Sequence, residues 1–257
     1  MRQRFAQSVP TRLRRGVGVV VRVAGLGLVL GALPGCQGVM GVVPMTEVRI
    51  IDASPDAQGL DIYQGGAALA YNVGFGTVTS YVSLSPGTTT ISANTTGTKQ
   101  QLSSVKGTFA VATQYTVLVG NVAAGLSETI LTDQSVAAPS GNVSIRILNQ
   151  ATRYSGGVDV YLVPSGSTLV GAAPIVTNAV FETNSGYINV PAGAYSVVLL
   201  KTGTVPVAAT IPIYSGAKVS YSAGAARTLI LLDEQVIANP GFQVITADDY
   251  DSPSATS

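Results

Sequence analysis

From Val48 onward, short runs of the chain alternate apolar and polar residues at a period of two, and each run is bounded by Gly, Pro, Asn or Ser. That period places successive side chains on opposite faces of an extended backbone, so the pattern predicts strands. The runs fall near 47–52, 60–64, 78–84, 88–93, 100–105, 114–120 and 128–132. They recur near 143–149, 158–162, 186–190, 194–201, 206–213, 217–223 and 228–232. No window after the N-terminal segment carries the 3.6-residue spacing of an amphipathic helix. Seven short strands in about 95 residues, twice over, predict an all-β chain of two tandem antiparallel immunoglobulin-like sandwiches. A closed barrel is the alternative with the same strand count.

The two sets of strands echo each other in sequence. Val48-Arg49-Ile50-Ile51-Asp52-Ala53 is answered by Ile145-Arg146-Ile147-Leu148-Asn149-Gln150, and Asp61-Ile62-Tyr63 by Asp159-Val160-Tyr161. Ser80-Tyr81 is answered by Gly186-Tyr187, and Thr129-Ile130-Leu131-Thr132-Asp133 by Leu229-Ile230-Leu231-Leu232-Asp233. Nearly constant offsets of this kind are the mark of an internal duplication. They divide the chain into a first repeat at 47–140 and a second at 141–245. The polar, acidic stretch 246–257 reads as a frayed tail.

The first residues break the strand pattern. Arg2, Arg4, Arg12, Arg14 and Arg15 precede a run from Val17 to Leu33 that is apolar except for Arg22, and the run ends in Leu33-Pro34-Gly35-Cys36. A basic region followed by a short apolar one is an export signal, and its last four residues resemble a bacterial lipobox. Residues 1–35 are therefore expected to be a lipoprotein signal peptide, with Cys36 lipidated and 36–46 a tether. The resemblance implies a palmitate-type acyl anchor in the cell envelope. Gln37 after the cysteine, in place of Asp, points to the outer membrane.

Composition narrows the chemistry. The chain has no His, no Trp and a single Cys. Imidazole catalysis, His or Cys-cluster metal sites and an intrachain disulfide are thereby excluded. Six of the 14 basic residues lie in the export segment and none of the 13 acidic ones do, which leaves eight against 13 and a mature net charge of −5. An acidic chain with scattered cations is no nucleic-acid binder.

The run from the basic strand residue through Ala53-Ser54-Pro55-Asp56-Ala57, then Asp61 and Tyr63, then Phe75-Gly76-Thr77-Val78, Tyr81 and Pro86-Gly87 resembles the domain-of-unknown-function 4397 family. Its members are secreted or surface-anchored bacterial proteins, often with tandem copies. The resemblance extends over nearly all of 46–240 and fades in the second repeat, where Asn149-Gln150-Ala151-Thr152-Arg153 replaces the first motif. The family often carries His just before that motif; here Asp52 and Asn149 stand there. The resemblance implies no activity.

Few residues are candidates for chemistry. Asp52, Asp56 and Asp61 could supply oxygen ligands for calcium, against the plainer reading of a turn whose carboxylates accept backbone N–H groups. Asp61 with Tyr63, and Asp159 with Tyr161, share a strand face two residues apart, as ligand-binding or, more simply, fold-determining groups. Ser103 with Lys106, and Ser215 with Lys218, match a Ser-x-x-Lys spacing that works on helices. Tyr71 and Tyr154, in expected loops, are the tyrosines best placed to stack on a sugar.

The expectation is a non-enzymatic, lipid-anchored envelope protein that presents two sandwiches in a structural or adhesive role. It needs no cofactor or metal, and its partners are the membrane and a glycan or protein at the cell surface. A glycan- or peptide-binding accessory lipoprotein is the second reading, and a hydrolase using paired carboxylates the third.

Overall fold

The computed structural model describes residues 45–235 and 241–251. The export segment, Cys36 and most of the tether lie outside them. Among the described residues, sixteen strands form two sets of eight. The first set is β1 (Thr46–Asp52), β2 (Leu60–Gln64), β3 (Ala67–Val73), β4 (Val82–Leu84), β5 (Gly87–Thr95), β6 (Gln101–Phe109), β7 (Gln114–Gly120) and β8 (Ser127–Thr132). The second is β9 (Asn142–Asn149), β10 (Val158–Pro164), β11 (Val176–Ala179), β12 (Asn184–Pro191), β13 (Gly193–Lys201), β14 (Tyr214–Tyr221), β15 (Ala226–Asp233) and β16 (Phe242–Tyr250).

Each set builds two four-stranded sheets. The first set gives the orders β4-β1-β7-β8 and β3-β2-β5-β6; the second repeats them as β12-β9-β15-β16 and β11-β10-β13-β14. The fold is all-β, with its sheets in two sandwich-like pairs. One pairing departs from the expected antiparallel pattern: β1 runs parallel to β7, and β9 parallel to β15. Both strands of each pair start from the same end of their sandwich, so their direct contact must be parallel.

Alternation along β1 explains the layering. Val48 and Ile50 point into the first core with Leu60, Ile62, Ile91, Val117 and Val119. Ile51 points the opposite way, into a cluster with Leu118, Leu148, Ile230, Leu232 and Ala247 from both sets. β9 does the same, sending Ile145 and Ile147 into the second core and Leu148 into the shared cluster. The sheets holding β1 and β9 therefore pack on each other and are buried on both faces, and the sheets holding β2 and β10 are outermost. Such doubly buried strands carry near-continuous apolar runs, as Ile145–Leu148 and Leu229–Leu232 do.

The structure corrects several expectations. β3 and β11 were not expected, because Ala67–Val73 and Val176–Ala179 lack clear alternation. The expected strand at 206–213 is a loop, in which Val207 and Ile211 are exposed. The expected tail from 246 is a strand as far as Tyr250, paired with β15 along its length. Most consequentially, 229–233 is not the counterpart of 129–133. The partner of β8 is β16, and β15 answers β7. The similar apolar composition of the two segments masked a shift of one strand.

Candidate functional site

The largest consequence of that shift concerns Asp133, whose counterpart is Asp249 and not Asp233. Where the two sandwiches meet, Arg49 of β1 donates from Nε to Thr116 at 2.8 Å and from one terminal nitrogen to the Asp248 carbonyl at 2.8 Å. Its other terminal nitrogen binds the Asp249 carboxylate. Arg146 of β9 repeats every contact: Nε to Thr228 at 2.9 Å, one terminal nitrogen to the Thr132 carbonyl at 3.2 Å, the other to Asp133 at 2.6 Å. Each arginine thus holds the threonine of its own sandwich and the aspartate of the other.

The aspartates are satisfied in the same reciprocal way. Thr116 and Tyr81 donate to Asp133 at 2.6 and 2.8 Å, and Thr228 and Tyr187 donate to Asp249 at 2.7 and 2.8 Å. The Tyr81 and Tyr187 rings also lie 4.9 and 4.8 Å from the guanidinium carbons of Arg49 and Arg146. Burial, followed by the neighbouring aspartates, drives both phenols far above their ordinary range. All four charges are buried. Such a cluster has paired carboxylates, the requirement of the hydrolase reading, but each is saturated with donors. It joins the sandwiches and offers no general acid or base.

Surface chemistry gathers elsewhere. Asp61, at the start of β2, accepts hydrogen bonds from the backbone of Asn72 and Gly97 at 2.9 Å each and from the Thr96 hydroxyl at 3.3 Å. These backbone donors hold its carboxyl below the usual range. The arrangement fixes Asn72 in a left-handed conformation, φ 48°, and brings the β5–β6 hairpin against β3. Gly59 leaves room there for the Asn72 side chain, whose oxygen would lie 2.1 Å from a Cβ at position 59 and would have to move. Asp159 builds the same corner, accepting from Asn178 at 2.8 Å and Gly203 at 3.0 Å beside Gly157.

Asp61 and Asp159 therefore do the same thing, whereas their companions Tyr63 and Tyr161 do not. Tyr161 is buried on the outer face of its sheet with Val163, Val198 and Leu200, under Leu169 and Ala172 of the 165–175 loop. In the first sandwich that loop shrinks to the tight Gly65-Gly66 turn, and nothing equivalent covers Tyr63. Its ring meets the ring of Tyr71 edge to face, with centroids 6.2 Å apart, and the Lys99 ammonium lies 5.4 Å from its centre. Tyr71 is 69% exposed. Asp61, Tyr63, Tyr71, Asn72 and the Thr96–Lys99 turn line an open cleft of about 410 Å³.

The remaining sequence candidates disperse. Asp56 accepts from the Ala123 backbone at 2.8 Å and Asp52 from that of Ser54 at 2.9 Å, so with Asp61 the three carboxylates serve three separate backbone sites. Among the described residues no three acidic or thiol groups converge as a metal site. Ser103 donates to Glu128 at 2.9 Å, and Lys106, three residues along the same strand, faces the other way. Tyr154 packs on Phe242 in the second core, with ring centres 5.0 Å apart, and is no stacking surface. Cys36 lies outside the described residues. The motif arithmetic could find Asp61 and Tyr63 but not Lys99 or Tyr71 as their neighbours, because only pairing of β2 with both β3 and β5 brings them together.

Comparison with known proteins adds a family match over part of the chain and little else. No curated protein matches the sequence. Among solved structures, a streptococcal virulence factor described as binding α-glucan is 12% identical, with a TM-score of 0.25, over 72% of this chain and 92% of its own. A family 26 carbohydrate-binding module from Eubacterium rectale Amy13K, solved with maltoheptaose, is 13% identical at a TM-score of 0.25, over 82% of this chain and 98% of its own. The Bacillus anthracis TIE protein is 8% identical at 0.24, over 80% and 44%. Likenesses this low assign no ligand to the chain. The model of the family described as "Domain of unknown function (DUF4397)" matches residues 46–161, a span that ends at Tyr161 in β10 and holds Arg49, Asp133 and Arg146. By that match, the stretch 46–161 is similar to the DUF4397 family.

Proposed function

We propose that the protein is a non-enzymatic, lipid-anchored module of the bacterial cell envelope that holds a binding face away from the membrane. The observation that carries this reading is the position of the cleft. The chain enters β1 at Thr46, runs about 23 Å along the strand at 3.3 Å per residue, and only then turns through 53–59 to Asp61 and the cleft. Cys36 precedes Thr46 by ten residues, so a lipid on it would be joined to the sandwiches through the start of β1. Fusion of the two sandwiches through a buried interface makes the body stiff, as a spacer requires.

A second reading, that the module binds glycan, is favoured by the right-angled pair Tyr63 and Tyr71. Two aromatic faces meeting at a corner can pack the apolar face of a sugar.

Replacing Cys36 with Ala tests the anchored reading. The variant should lose its acyl mass and move from the membrane to the soluble envelope fraction; retention in the membrane fraction without acyl mass would refute it.

A further inference from the structure

The cleft of the first sandwich has a charge as well as a shape. Asp61 is the acidic group of its lining, and both of its oxygens are spent on Asn72, Thr96 and Gly97. Lys99 also lines the cleft, with its ammonium over the Tyr63 ring, and among the described residues it forms no ion pair. Asp61 keeps its charge, but its oxygens are already engaged by Asn72, Thr96 and Gly97, whereas the Lys99 ammonium over the Tyr63 ring is free to pair with an anion that enters the cleft.

We infer that the Tyr63–Tyr71–Lys99 cleft binds a saccharide bearing a carboxylate, with the sugar ring packed in the corner of the two tyrosines and its acid group paired with the Lys99 ammonium. This inference rests on the glycan-binding reading above and names the ligand class for it. The second sandwich lacks such a site, because Tyr161 is roofed by Leu169 and Ala172. One ligand per chain follows.

Calorimetric titration of the mature 37–257 chain with hexagalacturonate and with maltohexaose, a neutral chain of equal length, tests it. The acidic probe should bind with a stoichiometry of one, and raising salt to about 0.5 M should weaken it. Lys99→Gln should reduce its affinity roughly threefold, the worth of an exposed ion pair. Tyr71→Ala, at a side chain too exposed to unfold the protein, should reduce it about tenfold. Equal affinity for the two probes, with Lys99→Gln unchanged, overturns the acid preference and keeps a saccharide site. Binding of neither probe overturns the glycan reading along with it. Binding that survives Tyr71→Ala and Tyr63→Ala places the ligand elsewhere and overturns the assignment of the cleft.

Discussion

Arg49 of the first sandwich and Asp249 of the second are ion-paired across a buried interface, and Arg146 and Asp133 repeat the pair in the opposite direction. Desolvating four charges costs more than their attraction returns unless every lone pair and proton finds a partner. Here the threonine and tyrosine hydroxyls and two backbone carbonyls supply those partners. Each arginine also lies 3.7–3.9 Å from the aspartate of its own sandwich, but its direct carboxylate hydrogen bond goes to the aspartate of the other.

Removing one member should cost far more than removing a pair. Arg49→Met leaves Asp249 short of its cation and is expected to destabilise the protein by about 3–5 kcal/mol, whereas Arg49→Met with Asp249→Leu should recover a large part of that loss. Urea unfolding of the single and double variants measures the difference. Equal losses in single and double variants would show that the pair is not coupled.

Tyr81 and Tyr187 should stay protonated when the exposed tyrosines ionise. Burial and the adjacent aspartates oppose a second negative charge in the cluster. An alkaline absorbance titration of the wild type against Tyr81→Phe and Tyr187→Phe should give the same titration below about pH 11, with less phenolate only once the protein unfolds. A decrease near pH 10 in either variant would place that phenol in contact with solvent.

Asp52 predicts a pH dependence. It is buried, one of its oxygens has no partner, and burial raises its carboxyl to about 7 despite the Ser54 hydrogen bond. Asn149 occupies the same place in the second sandwich, and its amide donates to the Ala179 carbonyl at 2.8 Å. Because the folded value lies above the unfolded one, the folded state binds the extra proton. The contribution of Asp52 is fully present below about pH 4 and is lost as pH rises to about 7. Asp52→Asn should remove that slope and stabilise the protein at pH 8 by about 2–4 kcal/mol. Unfolding free energies from pH 4 to 8 check both statements.

Glu182 holds a left-handed backbone, φ 66°, at the position where the first repeat has Gly76 at φ 76°. Glycine adopts that conformation without steric cost. Glu182→Gly should therefore raise stability by about 0.5–1 kcal/mol, read as an upward shift in thermal midpoint. A loss of stability would mean that the Glu182 side chain contributes more than its backbone costs.

Much of the architecture was legible in the alternation of β1, β2, β5 and β7 and their echoes, because half-buried strands write their period into the sequence. The interface was not. Arg49 and Arg146 read as ordinary polar positions of an outward face, and nothing local says that this face is covered by another sheet. Asp249 was hidden in an acidic stretch that looked like a tail; it becomes strand because Arg49 and Arg227 neutralise its end. The Asp61 corner was visible as a repeated Asp-x-Tyr, but the divergence of Tyr63 from Tyr161 depends on the length of the loop between the next two strands. That difference in cover, and not a motif, distinguishes the open cleft from its closed copy.

The two sandwiches are held as one body by their buried interface, and display of the cleft depends on it. Scanning calorimetry of the mature 37–257 chain checks whether they unfold together. A single transition, whose van't Hoff enthalpy equals the calorimetric enthalpy, is predicted. Two resolved transitions, one for each sandwich, would contradict it.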